Sequence, residues 1–257
     1  MSRPIALLIH SGGFTSRQWR KLGQRLAATH DVLAPDLIGY GAEPWPPGVP
    51  FHYRQDVDRL IGMLDAPNAA EPGAIGRPVD VVGHSYGALL ALQIALLRPD
   101  LVRSLAVYEP VAFGVLGPED AEVRAQLALP AYHADAAGVD EAWLTAFVDW
   151  WNGPGTWVAL AEPTRAGFRA VAWKVYQEVA TLSADTTDRA RYATITAPTL
   201  LLGGERTPPT ERRTLERLAE ALPHARLTLF PDMGHMGPIT HADVVNAAIA
   251  AHLARTD

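Results

Sequence analysis

The chain has no cysteine among its 257 residues. That excludes disulfides, a thiolate nucleophile and any cysteine-held metal. Lysine is nearly as scarce, present only at Lys21 and Lys174, and the arginines are scattered, with no run longer than the pair Arg212-Arg213. With a formal net charge of −6, the surface offers no basic footprint to nucleic acid or to an anionic membrane. No apolar stretch approaches a membrane span. The short apolar run that follows Met1-Ser2-Arg3-Pro4 is too brief for a secretory signal. The histidines lack metal-ligand spacing such as H-E-x-x-H, and no G-x-G-x-x-G follows the first strand-like run, so neither a metal nor a dinucleotide cofactor is expected. These absences leave the expectation of a soluble, cytoplasmic monomer or homodimer whose partner is a small molecule.

What is present is a hydrophobic fraction of 48%, ample for a sizeable core. Short apolar runs at residues 5–9, 31–35, 79–82, 104–108, 199–202 and 226–230 read as strands. Helix-spaced apolar residues fall between them: Trp19, Leu22 and Leu26; Val57, Leu60, Ile61 and Leu64; Leu215, Leu218 and Leu222; Val245, Ile249 and Leu253. Residues 65–78, rich in Ala, Gly and Pro, read as a connecting loop. The alternation predicts an α/β fold, a mostly parallel, doubly wound sheet of about six strands with helices on both faces. One stretch breaks the rhythm. Residues 113–191 contain no strand pattern but hold Trp143, Trp150, Trp151, Trp157 and Trp173. They are expected to form a helical cap inserted into a core made of residues 1–112 and 192–257. The tryptophans either pack the insert's own core or wall a pocket at the carboxyl edge of the sheet, where open α/β sheets bind ligands.

The sharpest local signal is Gly83-His84-Ser85-Tyr86-Gly87, set between a strand-like run and the apolar helix pattern of residues 88–97. A strand-to-helix reversal this tight leaves no room for Cβ atoms beside the serine. It holds Ser85 in a strained conformation with its hydroxyl exposed above a helix N-terminus. That is how a nucleophile is presented, and a serine hydroxyl then needs a base within hydrogen-bond reach. His235 lies past the last strand, bracketed by Gly234 and Gly237, at the same sheet edge. Of its competitors, His10 is expected to order backbone, His84 to point away from the nucleophile face, and His241 and His252 to pack or face solvent.

Four segments spread over nearly the whole chain carry a family likeness: His10-Ser11-Gly12-Gly13, Pro35-Asp36-Leu37-Ile38-Gly39-Tyr40-Gly41, the turn around Ser85, and Gly234-His235-Met236-Gly237-Pro238. The chain resembles the α/β-hydrolase superfamily, specifically its capped single-domain esterase-like members, and starts at what would be their third strand. The resemblance implies Ser85 as nucleophile, His235 as general base, and an oxyanion hole made by the backbone N–H groups of Gly12 and Tyr86. Ser11 stands where glycine is more usual. The position that commonly carries the family's acid is Thr207 here, which leaves the site without a carboxylate where one is expected. Some members carry it one strand earlier, which points to Glu109; Glu205 is the alternative, and a site lacking a carboxylate the third possibility. Asp36 and Asp232 are expected to be structural. The implied activity is a cofactor-free serine hydrolase that cleaves carboxylic esters or lactones of small apolar or aromatic substrates through an acyl-enzyme. The same residues also suit a C–C bond hydrolase, a lyase or a perhydrolase, and the fold suits a ligand-binding receptor with little turnover. Serine at the turn disfavours the aspartate-nucleophile dehalogenases and epoxide hydrolases.

Overall fold

The computed structural model describes residues 3–65, 77–128 and 139–255. Six strands, β1 (Ile5–Ile9), β2 (Asp31–Leu33), β3 (Val79–His84), β4 (Val102–Tyr108), β5 (Thr199–Gly204) and β6 (Ala225–Phe230), make one sheet. Their order is β2-β1-β3-β4-β5-β6, and each neighbouring pair is parallel. β1, β3 and β5 are buried at every residue, which is why they read as unbroken apolar runs rather than as alternation. β2 stops two residues before Pro35, which has no N–H to give to a ladder. Most of the loop expected over residues 65–78 lies outside the described residues.

Strand periodicity divides the core. Leu7 and Ile9 belong to one apolar cluster, Ala6 and Leu8 to the other. On the Leu8 side, Leu22 and Leu26 of α1 (Arg20–Leu26) pack with Val245, Ile249 and Leu253 of α7 (Ala242–Leu253). On the Leu7 side lie α2 (Tyr53–Asp65), α3 (Tyr86–Leu97) and α6 (Pro209–Ala221). α3 is buried continuously from Tyr86 to Ala95, as its all-round apolar sequence requires. Each fully buried Leu, Ile or Val contributes about 1.5–3 kcal/mol.

Among the described residues between β4 and β5 the regular structure is all helical, with α4 (Glu141–Asn152) and α5 (Glu162–Ser183) the longest pieces. Asp140 caps α4 by accepting the Trp143 N–H at 3.0 Å. Trp143, Trp151 and Trp157 are buried in the same cluster as α3. These side chains extend the sheet's core rather than forming a separate one. No helix among the described residues is long and apolar enough to cross a membrane.

The winding places a functional edge. The chain runs from β1 outward to β2, then back across β1 to β3, so the strand order reverses between β1 and β3 and opens a crevice at their carboxyl ends. Registry then levels the neighbouring ends, with His84 opposite Tyr108 and Tyr108 opposite Leu202. Ser85 and Glu109 therefore leave the sheet side by side, beside Gly203 of β5, which runs on to Gly204.

Candidate active site

Ser85 follows β3 with φ 54° and ψ −120°, a conformation that costs a non-glycine residue about 1–3 kcal/mol. The surroundings enforce it. A Cβ on Gly83 would meet the Gly87 carbonyl oxygen at 2.4 Å, and one on Gly87 would meet the carbonyl oxygens of Ile9 and His10 at 2.4 Å. The turn is thus wedged between the start of α3 and the end of β1, as its two glycines foretell. The Ser85 N–H donates to the Tyr108 carbonyl at 2.9 Å, and the Ser85 carbonyl accepts from the N–H groups of Ala88 and Leu89 at 2.9 and 3.1 Å.

A hydrogen-bonded line runs from this serine. His235 Nε2 lies 2.9 Å from Ser85 Oγ, and His235 Nδ1 lies 2.7 Å from Glu109 Oε2. A carboxylate only accepts, so Nδ1–H donates to Glu109 and Nε2 is left to accept the serine proton. Glu109 is fully buried and has φ 46°. Its Oε1 accepts the Gly204 N–H at 2.8 Å and its Oε2 the Thr207 hydroxyl at 2.7 Å, so the buried carboxylate has its acceptor sites met. Thr207, at the position where the resemblance leads one to expect a carboxylate, instead donates to the carboxylate of Glu109, one strand over. Glu205 is exposed. Asp232 pairs with Arg206 on the surface, and Asp36 accepts the Ser16 N–H at 2.7 Å. None of these three joins the line.

The loop bearing His235 is pinned from below. The Tyr108 hydroxyl donates to the Gly234 carbonyl at 2.8 Å, and His84 Nε2–H donates to the His235 carbonyl at 2.8 Å. His84 Nδ1 accepts from the Gln18 amide at 3.0 Å, and Gln18 Oε1 accepts the Ser11 N–H and hydroxyl, each at 3.1 Å. Burial holds the His84 pKa well below the ordinary histidine value, so the ring is neutral, as this donor–acceptor pattern requires. His84 does point away from the serine, but into a network that ties the His235 loop to the His10–Gly13 turn. Sequence offered no sign of the connection to Gln18. From above, Trp151 of α4 stacks on the His235 ring, centroids 3.8 Å apart and planes 21° from parallel.

The turn after β1 is also fixed. His10 Nδ1–H donates to the Ser11 carbonyl at 2.8 Å, His10 Nε2 accepts the Leu37 N–H at 3.0 Å, and the Gly13 N–H donates to the Tyr40 hydroxyl at 2.9 Å. The Gly12 N–H has no partner among the described residues. The Tyr86 N–H stands in the first turn of α3, where helix amides have no intrahelical acceptor. Both residues line a cavity of about 370 Å³ together with Ser85, His235, Trp151 and Phe168. None of the lining residues is lysine or arginine.

The wall also holds a buried carboxylate that no local motif of the sequence marks. Glu178 of α5 lines the cavity and bonds Lys174 Nζ at 2.6 Å; Lys174 also reaches Asp56 of α2 at 3.2 Å. Burial pushes the Glu178 carboxyl up to about 7, with the Lys174 charge opposing. The signal available beforehand was slight: one of only two lysines, spaced i,i+4 from a glutamate. Among the described residues, no group of three His, Asp or Glu side chains is arranged to hold a metal ion.

Residues 6–248 match the family model described as Alpha/beta hydrolase family. The lipase LipV of Mycobacterium tuberculosis is 36% identical over 127 residues, which is 49% of this chain and 44% of that protein. A 2-hydroxymuconate semialdehyde hydrolase from a Pseudomonas species is 27% identical over 267 residues, covering 99% of this chain and 88% of its own. The solved enol-lactonase from Burkholderia xenovorans LB400 has the same fold, with a TM-score of 0.72 at 22% identity over 99% of this chain and 92% of that one.

Proposed function

Because the chain belongs to the alpha/beta hydrolase family, we propose that it is a serine hydrolase that cleaves carboxylic esters or lactones of small apolar or aromatic substrates. The observation that carries this reading is the line Ser85–His235–Glu109 facing a largely apolar cavity. In this reading Ser85 Oγ attacks the carbonyl while His235 Nε2 takes its proton. Glu109 holds the imidazole in the required tautomer and stabilises the imidazolium. The N–H groups of Gly12 and Tyr86 receive the oxyanion, and each such donor is worth about 10²–10³ in turnover. His235 then passes its proton to the leaving alkoxide, and water activated by the same ring releases the acid. Residues 113–191 act as the cap over a core of residues 1–112 and 192–257, with Trp151 sheltering the base from solvent.

A C–C bond hydrolase with the same residues is the competing reading, since the Pseudomonas relative is named for a muconate, which is a carboxylate. The cavity lining, which has a carboxylate at Glu178 and no cation, favours the uncharged ester or lactone. The test is labelling by a fluorophosphonate probe followed by hydrolysis of a graded series of neutral esters, with Ser85→Ala as control. Labelling confined to the Ser85 peptide together with ester turnover is expected. A folded protein that takes up no label would overturn the hydrolytic reading in favour of a ligand receptor.

A further inference from the structure

Among the residues lining the cavity, Glu178 alone carries a carboxylate. It is 2% exposed, and it stands in a cluster with one ammonium for two carboxylates: Lys174 between Asp56 and Glu178. The rest of the cluster consumes its other partners. Asp56 accepts the Ile38 N–H at 2.9 Å and the Tyr86 hydroxyl at 2.8 Å, and the Lys174 ammonium lies 3.6 Å from the centre of the Phe51 ring. Glu178 Oε1 receives Lys174, whereas Oε2 receives only a share of the Tyr40 hydroxyl proton, at 2.9 Å. Oε2 therefore keeps acceptor capacity. Its place matters, because a Cβ built on Gly12 would lie 2.6 Å from it. An acceptor with excess negative charge thus borders the turn assigned to the substrate carbonyl, in a cavity with no cation on its surface to offset it.

We propose that Glu178 determines specificity: it accepts a hydrogen bond from a hydroxyl or ammonium group next to the scissile carbonyl and turns away substrates that carry a carboxylate there. The inference rests on the reading that the substrate carbonyl sits between Ser85 and Gly12. A hydrogen bond to a charged acceptor in such a site is worth about tenfold to hundredfold in affinity. A carboxylate placed there meets a like charge and has no partner for its own lone pairs.

The experiment uses Ser85→Ala protein, which cannot turn over, and reads binding from tryptophan emission, since Trp151 lines the cavity. The probes are a matched set of ethyl esters that differ in one group beside the carbonyl: methyl, hydroxyl, ammonium or carboxylate. Measured between the Glu178 pKa of about 7 and the α-ammonium pKa of about 7.7–8.0, the hydroxyl and ammonium esters are expected to bind about tenfold tighter than the methyl ester or better, and the carboxylate ester at least as much weaker. Adding Glu178→Gln is expected to erase the ammonium preference and narrow the carboxylate penalty. Equal affinities across the set, or tightest binding of the carboxylate ester, would overturn the proposal. The ranking in Ser85→Ala alone decides the matter should the double variant fail to fold. Turnover of the methyl ester by the unaltered protein is a separate readout. Turnover with a flat ranking would sink this inference and spare the hydrolase reading; the ranking without turnover would do the reverse.

Discussion

Glu109 shows how much a single carboxylate needs around it. Its backbone takes a left-handed turn at φ 46°, and its oxygens accept from Gly204, Thr207 and His235. An amide in its place would turn an N–H toward His235 Nδ1 and force the proton onto Nε2, where the ring can no longer accept from Ser85. Glu109→Gln is therefore expected to lower kcat about 10³–10⁴-fold while leaving the far-ultraviolet circular dichroism unchanged. A variant with near-native turnover would remove Glu109 from the mechanism. The serine, the histidine and their order were readable from the sequence, because glycines bracket each of them at a strand end. Gln18 and His84 were not, because a hydrogen bond between residues 66 positions apart leaves no trace in local pattern. Nor was the stacking of Trp151 on His235, which depends on where α4 comes to rest.

At the scale of elements, apolar runs located every strand but bounded only β1 at both ends. β2 stops two residues short of its run, β3 and β5 continue two residues further through residues that include glycine, β4 begins two residues earlier, and β6 one. What no pattern disclosed is the character of α6. Glu211, in its first turn, is fully buried with both carboxylate oxygens unpartnered. A helix N-terminus favours a negative charge there by about 0.3–1 kcal/mol, but desolvation and the nearby Glu109 charge push its pKa well above the ordinary value. The native state then holds a proton that the unfolded chain releases near the usual glutamate pKa. Above that pH the unfolded state binds fewer protons, so this group makes stability fall as pH rises toward the native pKa. Glu211→Met keeps the volume and removes the orphaned oxygens. It is expected to raise the unfolding free energy by about 1–3 kcal/mol, with the larger gain on the alkaline side. Urea midpoints at mildly acidic and mildly alkaline pH give the comparison, and equal midpoints for the two proteins would refute it.

For the molecule as a whole, one lysine joins two layers. Lys174 on α5 meets Asp56 on α2 across 118 residues of sequence and lies against the Phe51 ring. Lys174→Met would leave two carboxylates buried without their common counter-charge, which costs about 3–5 kcal/mol. A drop of that size in denaturant-derived stability is expected, and Glu178→Gln added to it should recover part of the loss by removing one of the stranded charges. Loss of less than about 1 kcal/mol would mean that water already screens the pair. Because Lys174 links α5 to α2, probes of unfolding in the two layers should report one midpoint in the unaltered protein.

The nearness of the β4 and β5 ends makes the carboxylate at this rim a portable part. Thr207 sits one hydrogen bond from the oxygen that holds His235, so neighbouring sockets on the sheet rim serve the same imidazole. Asparagine tolerates a positive φ and can stand in at residue 109. Glu109→Asn should abolish turnover, and Thr207→Asp added to it should restore much of what was lost. The charge would then have migrated across one strand with the nucleophile and base untouched. If the double variant stays as inactive as the single one, the rim holds one socket rather than two.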